Sequence, residues 1–144
     1  MKHQQVARRA WDALVQAVAG NVDGALEQLV GNVPESQASF GLCCDVAEAG
    51  ARALCRIHGL LPAAAQFTLV EYVPGSLDAV PGRALAARFL ETYANGDDAG
   101  AHDLYAAAAA RGRPERLAFA RELLAIVARL VQSTTTADAS RYAA

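Results

Sequence analysis

An all-α fold is what this sequence predicts: a single compact bundle of six or seven mostly antiparallel helices. Three observations predict it. Apolar residues recur at i, i+3, i+4 and i+7 through most of the 144 residues. Glycine or asparagine follows one periodic segment after another, at Gly20-Asn21, Gly31-Asn32, Gly59, Pro74-Gly75, Asn95-Gly96 and Gly112, and proline returns at Pro62, Pro81 and Pro114. Glycine just past a helix end takes the left-handed conformation that closes it, and proline in a first turn loses nothing by lacking an N–H. The links between segments are mostly short, which makes consecutive helices antiparallel neighbours.

Segment one, about 4–19, sets Trp11, Leu14, Val15 and Val18 on one face, with Arg8, Asp12 and Gln16 opposite. Segment two, about 23–30, opens on Asp23 as a cap and carries Leu26, Leu29 and Val30. Segment three, about 38–58, repeats Phe40, Ala47 and Leu54 every seven residues, and Cys43, Ala51 and Cys55 fill the same stripe. Glu48 and Arg52 form a solvent-side i, i+4 pair. Gly50, among Ala47, Ala51 and Ala53, thins this helix for a close neighbour.

Segment four, 62–73, opens like a helix at Pro62, yet Phe67 to Val73 is β-branched and aromatic. A lone strand has no partner elsewhere, so helix is the better reading. Segment five, Pro81 to Ala94, aligns Leu85, Phe89 and Tyr93. Segment six, capped by Asp97 or Asp98, puts Ala101, Leu104, Tyr105 and Ala108 on one face. Segment seven, 114–132, carries Leu117, Ala120, Leu124, Val127 and Val131, thickened by Leu123 and Leu130. Periodicity fades from Thr134, so 1–133 are expected to form the domain and 134–144 a flexible tail.

Hydrophobic residues make up 53% and charged residues 19%, the balance of a chain that builds a core. Lys2 is the only lysine and alanine is abundant, a pairing that points to a high-GC bacterial genome. The net charge of −2 supplies no field for nucleic acid or an anionic membrane. No apolar run spans a bilayer, and the first residues lack a signal-peptide core. Three cysteines, two of them adjacent, do not suit a disulfide framework, so a cytoplasmic location is expected.

Cys43, Cys44, Cys55 and His58 are zinc-ligand residue types. On one helix, however, Cys44 and Cys55 lie roughly 16 Å apart at 1.5 Å per residue, too far to share a tetrahedral ion. They read as small buried hydrophobes, with Cys43 or Cys44 near a helix start as a candidate reactive thiol. His102-Asp103 follows Asp98 by about a turn, and His58 lies upstream. This order, with Asp138 downstream, resembles the all-α metal-dependent phosphohydrolases named for their His-Asp dyad. The resemblance implies a divalent metal held by His58, His102, Asp103 and Asp138. Here the dyad falls in a helix's first turn, where acids are expected for their interaction with the dipole.

Gly96, Ala101, Tyr105 and Ala108 are similar to the turn and second helix of one tetratricopeptide unit. Ser36, Ser39 and Ser76 lie where capping explains them, and no Gly-x-Ser-x-Gly elbow or Gly-rich phosphate loop is present. Trp11, Phe40, Phe67, Phe89 and Phe119 read as core or interface anchors. Phe119 lies off the main stripe, between Arg116 and Arg121, a composition favoured at protein–protein hot spots. The favoured reading, however, is that an adjacent helix covers it.

These residues point first to a non-enzymatic helical module that works through protein contact, with itself as a homodimer or with another protein, and without a cofactor. The alternatives are a small metal- or thiol-dependent enzyme using His102 and Asp103 or Cys43 and Cys44, and a helical DNA-binding regulator using Arg8 and Arg9 or the arginine-rich last helix.

Overall fold

The computed structural model describes residues 2–30, 37–58, 80 and 82–142. Among them are six helices: α1 (Lys2–Val18), α2 (Val22–Val30), α3 (Gln37–His58), α4 (Arg83–Ala94), α5 (Asp98–Ala110) and α6 (Arg113–Tyr142). No strand occurs among the described residues. The all-α bundle is as read from the sequence, while the ambiguous segment 62–73 and Phe67 lie outside the described residues.

Tight turns join α1 to α2, α4 to α5 and α5 to α6, at the glycines that the punctuation singled out. Gly20, Gly96 and Gly112 have φ of 98°, 84° and 109°, the left-handed region that only glycine adopts without strain. Asp97, rather than Asp98, caps α5: its Oδ1 accepts from the Gly100 N–H at 2.9 Å. Asn21, rather than Asp23, serves α2 in the same way, accepting from the Gly24 N–H at 3.1 Å.

Helix α6 packs against each of the other five helices, and α3 against α1, α4 and α6. The largest fully buried side chains are Phe89, Phe119, Leu42, Leu90, Leu123, Leu124, Val46 and Val127. Alanines fill much of the remaining core, and their small size lets helix axes approach closely. A Cβ on Gly50 would come within 2.9 Å of Leu90 Cδ1 and Val127 Cγ2, so the thinning expected of α3 is used by α4 and α6. Four rings tie α3, α4, α5 and α6 together. Phe89 meets Phe119 edge-on at 5.3 Å and Phe40 at 6.3 Å, and Tyr105 lies 6.1 Å from Phe119 and 5.4 Å from Phe40.

Two expectations are corrected. Helix α1 buries Ala10, Ala13, Leu14 and Ala17, leaving Trp11 61% and Val15 53% exposed. Phe119, offered as a contact residue, is fully buried, as the favoured reading of a covered aromatic had it. Helix α6 continues to Tyr142, through the segment where periodicity fades. Ser133 Oγ donates to the Arg129 carbonyl at 2.9 Å and Thr134 Oγ1 to that of Val131 at 2.6 Å. Hydroxyls that would otherwise compete with the helix are thereby spent on its own carbonyls. Among the described residues no helix is long and apolar enough to cross a membrane.

Candidate functional site

Among the described residues, the cysteines of α3 and the His102-Asp103 pair of α5 stand in different surroundings. Cys43 is buried, and burial, reinforced by the neighbouring Cys44, pushes its thiol up to about 12. Cys44 is half-buried and pushed up to about 11, by burial first and then by the charges of Asp45 and Asp98. An activated thiol needs the opposite shift, toward thiolate at neutral pH. His102 and Asp103 are exposed on α5, and the His102 ring meets Phe40 edge-on at 5.0 Å. Among the described residues no group of three or more His, Cys, Asp and Glu side chains is placed to hold a metal ion. His58 ends α3, and its side chain lies outside the described residues.

Near Cys44, the Tyr93 hydroxyl donates to Glu48 Oε2 at 3.1 Å, and Arg52 Nε donates to Oε1 of the same carboxylate at 3.1 Å. Burial and the Glu48 carboxylate raise the Tyr93 phenol, so it stays a donor. The solvent-side pair read from the sequence is therefore extended to α4.

The arginines flanking Phe119 act within the chain. Arg121 Nε donates to Asp23 Oδ1 at 3.0 Å and Nη1 to Glu122 Oε2 at 3.4 Å. Glu122 is itself buried, its side chain only 4% exposed, and takes a second arginine, Arg83, whose Nε donates at 2.8 Å. Arg116 is half-buried. With Phe119 in the core, the aromatic centre of the expected hot spot is absent from the surface. Arg121 instead belongs to a polar cleft of about 300 Å³ between α1, α2, α4 and α6, lined also by Arg83, Glu122, Arg129 and Gln132. Glu122 is singled out by no periodicity or motif in the sequence. The available signal was its place one residue before the apolar pair Leu123-Leu124.

A second concavity, about 390 Å³, opens between α1, α3 and α6. Ala10, Leu14, Val46, Ala49, Ala53 and Val131 contribute its apolar surface, and Trp11 stands in its wall. Asp45, Glu48, Arg52 and Arg56 bring both signs of charge to it. It is an apolar groove between charged residues, beside an exposed aromatic side chain, the makeup of a protein-contact site.

No protein-family model, curated protein or solved structure matches the chain significantly. The function therefore has to be argued from these two concavities and their residues.

Proposed function

We propose that the chain is a cytoplasmic helical protein-interaction module, and that its contact surface is the Trp11 face of α1 with the adjoining groove. The observation that carries this reading is the exposure of Trp11, 61%, in a chain that hides Phe89 and Phe119 completely. A large amphipathic ring left in water beside an apolar groove costs solvation in the free monomer and supplies contact energy once covered.

The occupant is a second copy of this chain. Knob and groove lie side by side on one face, as a two-fold interface requires of a self-complementary patch. The charges are self-complementary too: exposed Arg8 and Asp12 flank Trp11 on α1, and Asp45, Glu48, Arg52 and Arg56 line the groove. Each copy thus brings both signs of charge to the contact, as pairing between identical surfaces requires.

Trp11 is the chain's one tryptophan, so its fluorescence reports directly on the proposed contact. Sedimentation across a concentration series is expected to show a monomer–dimer equilibrium, with emission shifting to the blue as the dimer forms. Trp11→Ala is expected to stay monomeric and melt within about 0.5 kcal/mol of the parent, as exposed positions do. A parent chain that is monomeric throughout, with constant emission, overturns the homodimer reading.

A further inference from the structure

The cleft between α1, α2, α4 and α6 differs in kind from the Trp11 groove. Its lining brings together three guanidinium groups, from Arg83, Arg121 and Arg129, and one carboxylate, Glu122. With Asp23, which pairs with Arg121 at 3.0 Å, three cations meet two carboxylates, an excess of one positive charge in a chain whose net charge is −2. Asp23 pairs from outside the lining, with its own side chain 83% exposed, so solvent screens it more than the cleft's own groups. The local field is therefore a property of this cleft and not of the chain as a whole.

Glu122 gives the cleft rigidity. Buried, and bonded to Arg83 at 2.8 Å and Arg121 at 3.4 Å, it holds guanidinium groups from two helices in fixed directions. Arg129 follows Arg121 by two turns of α6 and lines the same cleft, and its guanidinium bonds to no described residue. Gln132 lines the cleft one turn further on, anchored through its Nε2 to the Val18 carbonyl at 2.7 Å. The volume, about 300 Å³, falls at the lower end of small-molecule sites.

We propose that this cleft binds a small oxyanion-bearing molecule, a phosphate or a carboxylate, with Arg129 and Arg121 as its principal donors. Guanidinium forks match both anion types bidentately. The site is independent of the Trp11 face, so Trp11→Ala is expected to bind the anion as the parent does.

The test titrates the full chain with inorganic phosphate and, separately, with citrate at constant ionic strength, following arginine Nε–Hε resonances and binding heat. Saturable binding is expected, weakened at least about tenfold in Arg129→Gln, the size of one lost charge-assisted hydrogen bond. Arg111→Gln, which removes an exposed charge outside the cleft, is expected to leave it unchanged. Asp23→Asn, which releases Arg121 at an exposed position, is expected to tighten it severalfold. Tighter binding of phosphate than citrate assigns the phosphate chemistry, and the reverse assigns the carboxylate. Absence of saturable binding, or equal weakening by Arg129→Gln and Arg111→Gln, overturns the proposal.

Discussion

Replacing Gly82 by alanine tests the approach of the start of α4 to the backbone of α6. Gly82 is the N-cap of α4, with φ 82° and ψ −13°. An alanine held in that left-handed conformation costs about 1–2 kcal/mol. Its methyl group would also stand 2.7 Å from Ala118 C and Phe119 N, both backbone atoms of α6. A side chain could rotate away, but a helix backbone cannot. The start of α4 and α6 must therefore separate, an overpacking cost of about 1–3 kcal/mol. The two contributions sum to about 2–5 kcal/mol.

Gly96→Ala is the control, because φ is 84° there and no atom lies within 4 Å of the added methyl, leaving the strain of about 1–2 kcal/mol alone. For a chain of 144 residues, about 1 kcal/mol moves the melting temperature by about 3 °C. Thermal melts followed by far-UV circular dichroism should then fall by about 6–15 °C for Gly82→Ala and about 3–6 °C for Gly96→Ala. Equal losses in the two variants would refute the close approach of α4 to α6.

Asp97→Ala removes the α5 cap and should cost about 1 kcal/mol in a urea melt, whereas Asp98→Ala, which loses only its dipole interaction, should cost a few tenths. Glu122→Ala leaves Arg83 and Arg121 without their shared carboxylate; it should cost about 2 kcal/mol, less than a fully buried pair because Arg83 keeps 31% exposure. Cys44 at about 11, against the usual 9.0, has about 100-fold less thiolate at neutral pH. The greater nucleophilicity of a more basic thiolate recovers about tenfold, so maleimide labelling should run about tenfold slower than a model thiol even before steric cover. Fast labelling would refute the burial. Cys43, raised to about 12 by burial, holds its proton in the folded chain after the unfolded chain has released it. Folding stability should therefore be full below about pH 9 and decline between about 9 and 12, and Cys43→Ala should flatten that decline in urea midpoints measured against pH.

The features that local chemistry decides were legible in the sequence. Gly20, Gly96 and Gly112 close helices because a positive φ is a one-residue requirement. The Glu48–Arg52 pair forms because i and i+4 meet on any helix, observed at 3.1 Å. Neighbouring polar residues were harder to rank. Asn21 and Asp23 can each cap α2, and Asp23 goes instead to Arg121, a partner 98 residues away that no local reading supplies. The continuation of α6 past Thr134 was hidden for a similar reason: Ser and Thr favour turns unless their hydroxyls bond back to the helix, as Ser133 and Thr134 do.

The two candidate surfaces were missed together, for different geometrical reasons. In α1 the large apolar residues Trp11, Leu14, Val15 and Val18 define one direction, and the buried residues Ala10, Ala13, Leu14 and Ala17 define another. At about 100° per residue the two mean directions differ by about 100°. Reading the face from the large side chains put the core where the surface is, because this bundle packs α1 through its alanines. In α6 the stripe through Leu117, Ala120, Leu124, Val127 and Val131 is too narrow. Five helices surround α6, so Phe119, Ala120, Glu122, Leu123, Leu124, Val127 and Ala128 are all buried. That wide arc takes in Phe119, removing it as a contact residue, and takes in Glu122, whose charge then requires Arg83 and Arg121. A rotated arc leaves a tryptophan in water, and a widened one encloses a carboxylate with its arginines. Both candidate surfaces follow from how alanine, too small to mark a face in the sequence, decides which way these helices turn.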